Sequence, residues 1–173
     1  MNKHLIPKEE FEELLETATA NRASDNELQQ KLWFAIADRI LRSWNGGSYS
    51  FLKALTPGQA ALVSSAQFHR GADYDFLTSI TQSELPSLAL RAFETLQADE
   101  YVVLMRKLQA MFPGEKFPEF PEDMLSALRK QPRGCFDNIA HAFVVGKGMK
   151  RPLHDYVFAY VTAHPEDFCT SGK

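Results

Sequence analysis

Leu28, Leu32, Ile36 and Ile40 recur every four residues, with Trp33, Ala37, Leu41 and Trp44 beside them. That spacing makes one broad apolar stripe at the helical period, which a strand with its two-residue period has no use for. The period returns along most of the chain. It carries Phe11, Leu14, Leu15 and Ala18, then Leu88, Ala92, Phe93 and Leu96, then Leu104, Leu108, Met111 and Phe112. Met124, Leu125 and Leu128 follow, then Phe136, Ile139, Ala140, Phe143 and Val144, and finally Leu153, Tyr156, Val157, Tyr160 and Val161. No sustained two-residue alternation and no hairpin signal interrupts the series. The predicted fold is all-α: residues 1–173 as a single domain of about eight or nine helices around one core.

Capping chemistry predicts where these helices start and stop. Pro7 suits a first helical turn, and Glu9 and Glu10 suit its positive end. Ser24 and Glu27 have capping-box spacing, and Asn45-Gly46-Gly47 is the stop for the helix behind them. Thr56-Pro57-Gly58-Gln59 combines a capping Thr, a Pro at the first position and a Gln three residues past the cap. That helix is expected to run to about His69 and to break at Gly71, where a positive φ is expected. Tyr74, Phe76, Leu77 and Ile80 then suggest a short helix. Pro86 opens the next, Asp99 is the expected cap of another, and Pro121 starts a third. Residues 113–121, with three prolines, are expected to be an extended connector.

The chain of 173 residues, 45% hydrophobic and 24% charged with 13 Phe, has material for a proper core. No apolar run approaches the roughly 18 residues a membrane span needs. The N-terminus is too polar for a signal peptide. Cys135 and Cys169 form no CxxC pair, so a reduced, cytoplasmic protein is expected.

Charge is unevenly spread although the net value is only -3. Residues 1–30 hold Lys3, Lys8 and Arg22 against Glu9, Glu10, Glu12, Glu13, Glu16, Asp25 and Glu27. Residues 129–154 hold Arg129, Lys130, Arg133, Lys147, Lys150 and Arg151 against Asp137 alone. Such asymmetry can mark faces that meet different partners.

The order of parts between Leu55 and Pro113 resembles a bacterial helical family, the DNA-mimic-like family. Leu55-Thr56-Pro57-Gly58-Gln59 is similar to its helix-opening motif. His69-Arg70-Gly71-Ala72-Asp73-Tyr74-Asp75-Phe76 stands at its Asn-Gly-Gly-Phe motif, of which only the second glycine survives, at Gly71. Leu96-Gln97-Ala98 matches a Gly-Ala helix ending, Phe112-Pro113 a Phe-Pro ending, and residues 160–168 the closing segment. Asn45-Gly46-Gly47 lies a whole helix too early to be the signature. The resemblance covers about residues 28–168. It implies a helical fold, with Gly71, Tyr74 and Phe76 as its structural motif here. For the family's named member it implies a dimer whose carboxylate-rich surface occupies a DNA-binding protein. Fold does not fix function for other members.

Several residue patterns offer chemistry. Glu9, Glu12, Glu13 and Glu16 are spaced i, i+3, i+4, i+7 and share one helical face over roughly 10 Å. Duplex DNA carries one charge per about 1.7 Å, so such a stripe can imitate a short piece of phosphate strand. Equally, it is the solvated face of any amphipathic helix. Glu115, Glu119, Glu122 and Asp123 straddle the connector and are expected to extend the patch. Lys147, Lys150 and Arg151, with Arg129, Lys130 and Arg133, can grip phosphate or simply serve as helix-end cations. With no recognised motif, direct nucleic-acid binding is not expected.

Asp137 and His141, four apart, can pair, but Cys135 is off that face and no Ser elbow appears. The histidines show no HxxxH or HExxH spacing, and Asp73-Tyr74-Asp75 lacks the further ligands calcium needs, so no metal is expected. Nor does any motif name a cofactor. The first expectation is a non-enzymatic interaction protein that binds another protein through acidic helical surfaces, as a DNA mimic acting on a regulator. A small enzyme with its pocket near His69–Asp75, and an immunity-like protein that neutralises a toxin, are the alternatives.

Overall fold

The structure, a computed structural model, describes residues 5–20, 26–42, 49–82, 84–132, 134–146 and 148–170; for 20, 26–28, 73, 74, 144 and 145 it describes the backbone only. Eight α-helices follow one another: α1 Lys8–Ala20, α2 Asn26–Leu41, α3 Pro57–Ile80, α4 Leu85–Thr95, α5 Asp99–Gln109, α6 Pro121–Arg129, α7 Cys135–Val145 and α8 Leu153–Ala163. Short 3-10 turns lie at Tyr49–Ala54, Pro113–Glu115 and Pro165–Asp167. Among the described residues there is no β-sheet, so the all-α prediction holds. No described helix is long and apolar enough to cross a membrane. Ser24, Asn45-Gly46-Gly47 and the Leu28 side chain lie outside the described residues. The α2 helix ends at Leu41, ahead of that expected stop.

Helix α3 is the hub and packs on α2, α4, α7 and α8. Its start is the one read from sequence. The Gln59 N–H donates to Thr56 Oγ1 at 3.2 Å, and the Thr56 N–H donates to Gln59 Oε1 at 3.3 Å. Two orphan donors are thereby satisfied reciprocally. Gly58 sits beneath the C-terminal segment, where a β-carbon would press into the Tyr160 ring and the Asp167 carboxylate. Tyr160 donates to Asp167 Oδ2 at 3.2 Å. Burial first, then that carboxylate, pushes the phenol up to about 12, so it stays a donor.

The middle of α3 corrects the sequence reading. The helix runs through Gly71, which does not have positive φ, and breaks at Asp75, where φ is -158° and ψ is 107°. Asp75 caps the second limb: Oδ1 accepts from the Leu77 N–H at 3.1 Å and Oδ2 from Thr78 Oγ1 at 2.5 Å. Those donors, the Thr78 hydroxyl foremost, hold its carboxyl below the usual range. Asp supplies both the extended backbone and the side-chain acceptor of a cap, which glycine lacks. Gly71 has a different task. In a straight helix residues eight apart are about 12 Å distant. Here a β-carbon on Gly71 would lie 3.3 Å from Ser79 Cβ and press on its Oγ, because the second limb folds back. The glycine makes room for that return. Phe76 and Ile80 of the return limb are buried, whereas Leu77 is 38% exposed. The backbone of Tyr74 is helical, but its side chain is not described.

Phe68 of α3, fully buried, anchors an aromatic cluster. Its ring centroid is 6.0 Å from Phe76, 6.1 Å from Phe93 on α4 and 5.4 Å from Phe143 on α7. Tyr101 of α5 adds contacts to Phe93 and Phe143 at 5.7 and 5.8 Å. Trp33 of α2, 1% exposed, donates its indole N–H to the Leu62 carbonyl at 3.1 Å and so ties α2 to α3. Of the expected core, Trp33, Ile36, Ile40, Phe93, Leu104, Leu108, Phe143 and Val157 are buried; Tyr160 is half-buried.

Two further boundaries differ from expectation. Asp99 is the first residue of α5, not its cap; Ala98 holds that place without a side-chain bond. The chain leaves α4 through Gln97 in the left-handed region, φ 55°, with Ala98 N–H donating to the Phe93 carbonyl and Gln97 N–H to that of Glu94. This Schellman ending turns the chain directly into α5 and leaves Asp99 no capping role. The connector is not extended throughout. Gly114 (φ 69°) and Glu115 (φ 52°) are left-handed in succession and reverse the chain before the prolines straighten it.

Candidate functional site

Helix α1 is laid on the fold by its apolar edge. Phe11 and Ala18 are buried, and the Phe11 and Phe168 rings stack 6.3 Å apart. A contact the sequence did not reveal fixes it further. Residues 6 and 169 form a parallel bridge, with Ile6 N–H donating to the Phe168 carbonyl at 2.8 Å and Thr170 N–H to the Ile6 carbonyl at 3.0 Å. The opposite edge of α1 carries Glu9, Glu12, Glu13 and Glu16, all exposed. Lys8 lies 3.6 Å from Glu12 in a half-exposed pair worth roughly 0–1 kcal/mol. Glu9, Glu13 and Glu16 have no ion-pair partner among the described residues. Glu10 is turned aside to Arg39 at 3.1 Å.

The C-terminal segment brings a further carboxylate to this face. A cleft of about 360 Å³ runs between α1 and residues 162–170, floored by Phe11 and Leu15 and flanked by Glu12, Glu166 and the Lys8 that pairs with Glu12. Burial, and then the charges of Glu12 and Glu166, push the Cys169 thiol up, against the pull of Lys8. Two carboxylates therefore converge on one apolar-floored groove. Glu166 was not found from sequence because only the terminal bridge, with a separation of more than 160 residues, places it there. Glu115, Glu119, Glu122 and Asp123 are also exposed. Glu119 and Asp123 line a different cleft, of about 690 Å³, with Lys116 and Lys130 beside them. Charge in that cleft is mixed.

In the stretch from His69 to Asp75, His69 and Arg70 are engaged with α2. The His69 ring meets Trp33 edge-on at 5.2 Å. Arg70 grips Asp38 through two hydrogen bonds of 2.6 and 2.9 Å and lies 4.4 Å over the Phe34 ring. Asp75 caps. Nearby, burial pushes the His154 imidazole down, Asp155 opposes this, and His69 adds to it. Asp137 and His141 are both exposed on α7, and no hydrogen bond or ion pair joins them. Cys135 and Cys169 are free thiols. Among the described residues no three His, Cys, Asp or Glu side chains converge as metal ligands would.

The basic loop before α8 is latched rather than open. Glu100 of α5 accepts from the Lys150 N–H at 2.8 Å and from the Tyr156 hydroxyl at 3.0 Å. Arg151 covers the Tyr156 ring at 4.6 Å and lies 3.8 Å from Asp155. Lys147 and Arg133 lie outside the described residues. The Lys150 N–H foremost holds the Glu100 carboxyl below its ordinary range. A depressed carboxylate contributes stability above its unfolded pKa and loses it as pH falls through the folded one. Glu100→Gln should therefore melt lower than the parent at pH 7, and the gap should close as the pH falls through the acid range below 4.5. A gap independent of pH would mean that the charge of Glu100 is not what holds the loop.

Comparison with family models, with curated proteins and with solved structures returns no match for this chain.

Proposed function

We propose that this chain is a non-enzymatic, cytoplasmic interaction protein that binds a basic protein surface through the acidic face of α1, in the manner of a DNA mimic. The observation that carries the reading is the set Glu9, Glu12, Glu13 and Glu16, exposed together, with Glu166 brought alongside across an apolar-floored cleft. Side chains of Lys or Arg from a partner find Glu166 on one wall, Glu12 with its neighbour Lys8 on the other, and a greasy floor for their stems. The stripe spans roughly 10 Å, the reach of a few phosphates on one strand.

The test is to replace Glu9, Glu12, Glu13 and Glu16 by Gln together. Gln keeps helix propensity, and the positions are exposed, so melting should shift little. Capture of a basic DNA-binding protein should weaken, chiefly through slower association, and capture by the parent chain should fall with added salt. Equal capture by both proteins at unchanged melting would reduce the stripe to a solvated helix face. A basic toxin domain captured in place of a DNA-binding protein would favour the immunity-like reading.

A further inference from the structure

A third cleft, of about 430 Å³, opens between the 3-10 turn Tyr49–Ala54, the first half of α3 and α4. Its volume falls within the roughly 300–1,000 Å³ of small-molecule sites. The floor is apolar and made of short side chains, Ala60 and Ala61 from α3 and Ala92 from α4, with Leu88 as the wall. Two consecutive alanines on α3 and one on α4 leave the hollow instead of filling it. Ser64 lines the cleft one turn further along α3. The residue is 3% exposed. At the mouth stand Lys53 and Arg91, neither in an ion pair among the described residues, against the single carboxylate of Glu84. The mouth is thus net cationic in a chain of net charge -3.

We propose that this cleft binds a small carboxylate with an apolar body. The body lies on Ala60, Ala61, Leu88 and Ala92, and the carboxylate sits between Lys53 and Arg91. One negative charge matches two cations opposed by Glu84, whereas a dianionic phosphate would be repelled by that carboxylate. The site is separate from the acidic face of α1 and does not depend on it.

Octanoate is the probe, followed through the backbone amides of isotope-labelled protein, with 1-octanol and inorganic phosphate as the other arms. Octanoate should give saturable shifts at Ala60, Ala61 and Leu88. Octanol, which has the same body and no charge, should bind about tenfold more weakly, because a charge-assisted contact is lost. Phosphate alone should give no saturable shift there. Arg91→Gln, an exposed change with little effect on folding, should bring octanoate down about tenfold, near octanol. Octanoate no tighter than octanol, an Arg91→Gln protein that binds it undiminished, or phosphate that outcompetes it would each overturn the proposal.

Discussion

Phe68→Ala is expected to be among the most damaging single changes in this chain, at about 3–5 kcal/mol. Phe68 is fully buried at the middle of the hub helix and touches aromatic rings from the return limb of α3, from α4 and from α7. Truncation removes those contacts and leaves a cavity that stiff neighbouring helices cannot close. Native domains have only about 5–15 kcal/mol in total, so a large share of the stability goes at once. Denaturant titration of both proteins measures it. A loss below about 1 kcal/mol would show that the aromatic cluster is peripheral to the fold. Phe143→Ala in the same background should be less than additive, since the two rings share one cavity.

Gly71→Val is the second large effect, and its cause is contact, not backbone strain. Glycine inside a helix ordinarily costs about 0.5–1 kcal/mol relative to Ala, so a side chain there would normally help. Here Ser79 occupies that space. The valine should cost about 1–3 kcal/mol by overpacking the return limb. Ser79→Ala removes the hydroxyl in the way and should recover at least about 0.5 kcal/mol of that loss in a double-mutant cycle. Strict additivity of the two changes would refute the contact.

Residues with local causes were legible in the sequence; those with distant causes were not. Thr56 and Gln59 cap α3 because both partners lie within four residues, and Pro121 opens α6 because its fixed φ suits a first turn anywhere. The helical period found the core stripes of α2, α5, α7 and α8 for the same reason. The kink of α3 was read in the right region but at the wrong residue. Glycine is the stronger local breaker, yet Asp75 can cap and Gly71 is needed for the return of Ser79, which only the folded chain shows. Asp99 was misassigned because the Schellman turn at Gln97 uses a residue with no sequence signal for φ > 0. At the candidate site, the four glutamates of α1 share a face by spacing alone. Glu166 joins them only through the pairing of Ile6 with Cys169, and Ser64 becomes a cleft base only through the packing of α4 on α3. Neither has a local signature.

A displacement titration tests a DNA-like acidic face most directly. The partner captured by the parent chain is loaded with a fluorescent duplex carrying its binding site, and this protein is added in steps. Release of the duplex, at the concentrations at which the protein itself binds, is the predicted result, and it should be lost when Glu9, Glu12, Glu13 and Glu16 are Gln. A ternary complex, with the duplex retained while this protein is bound, would contradict it.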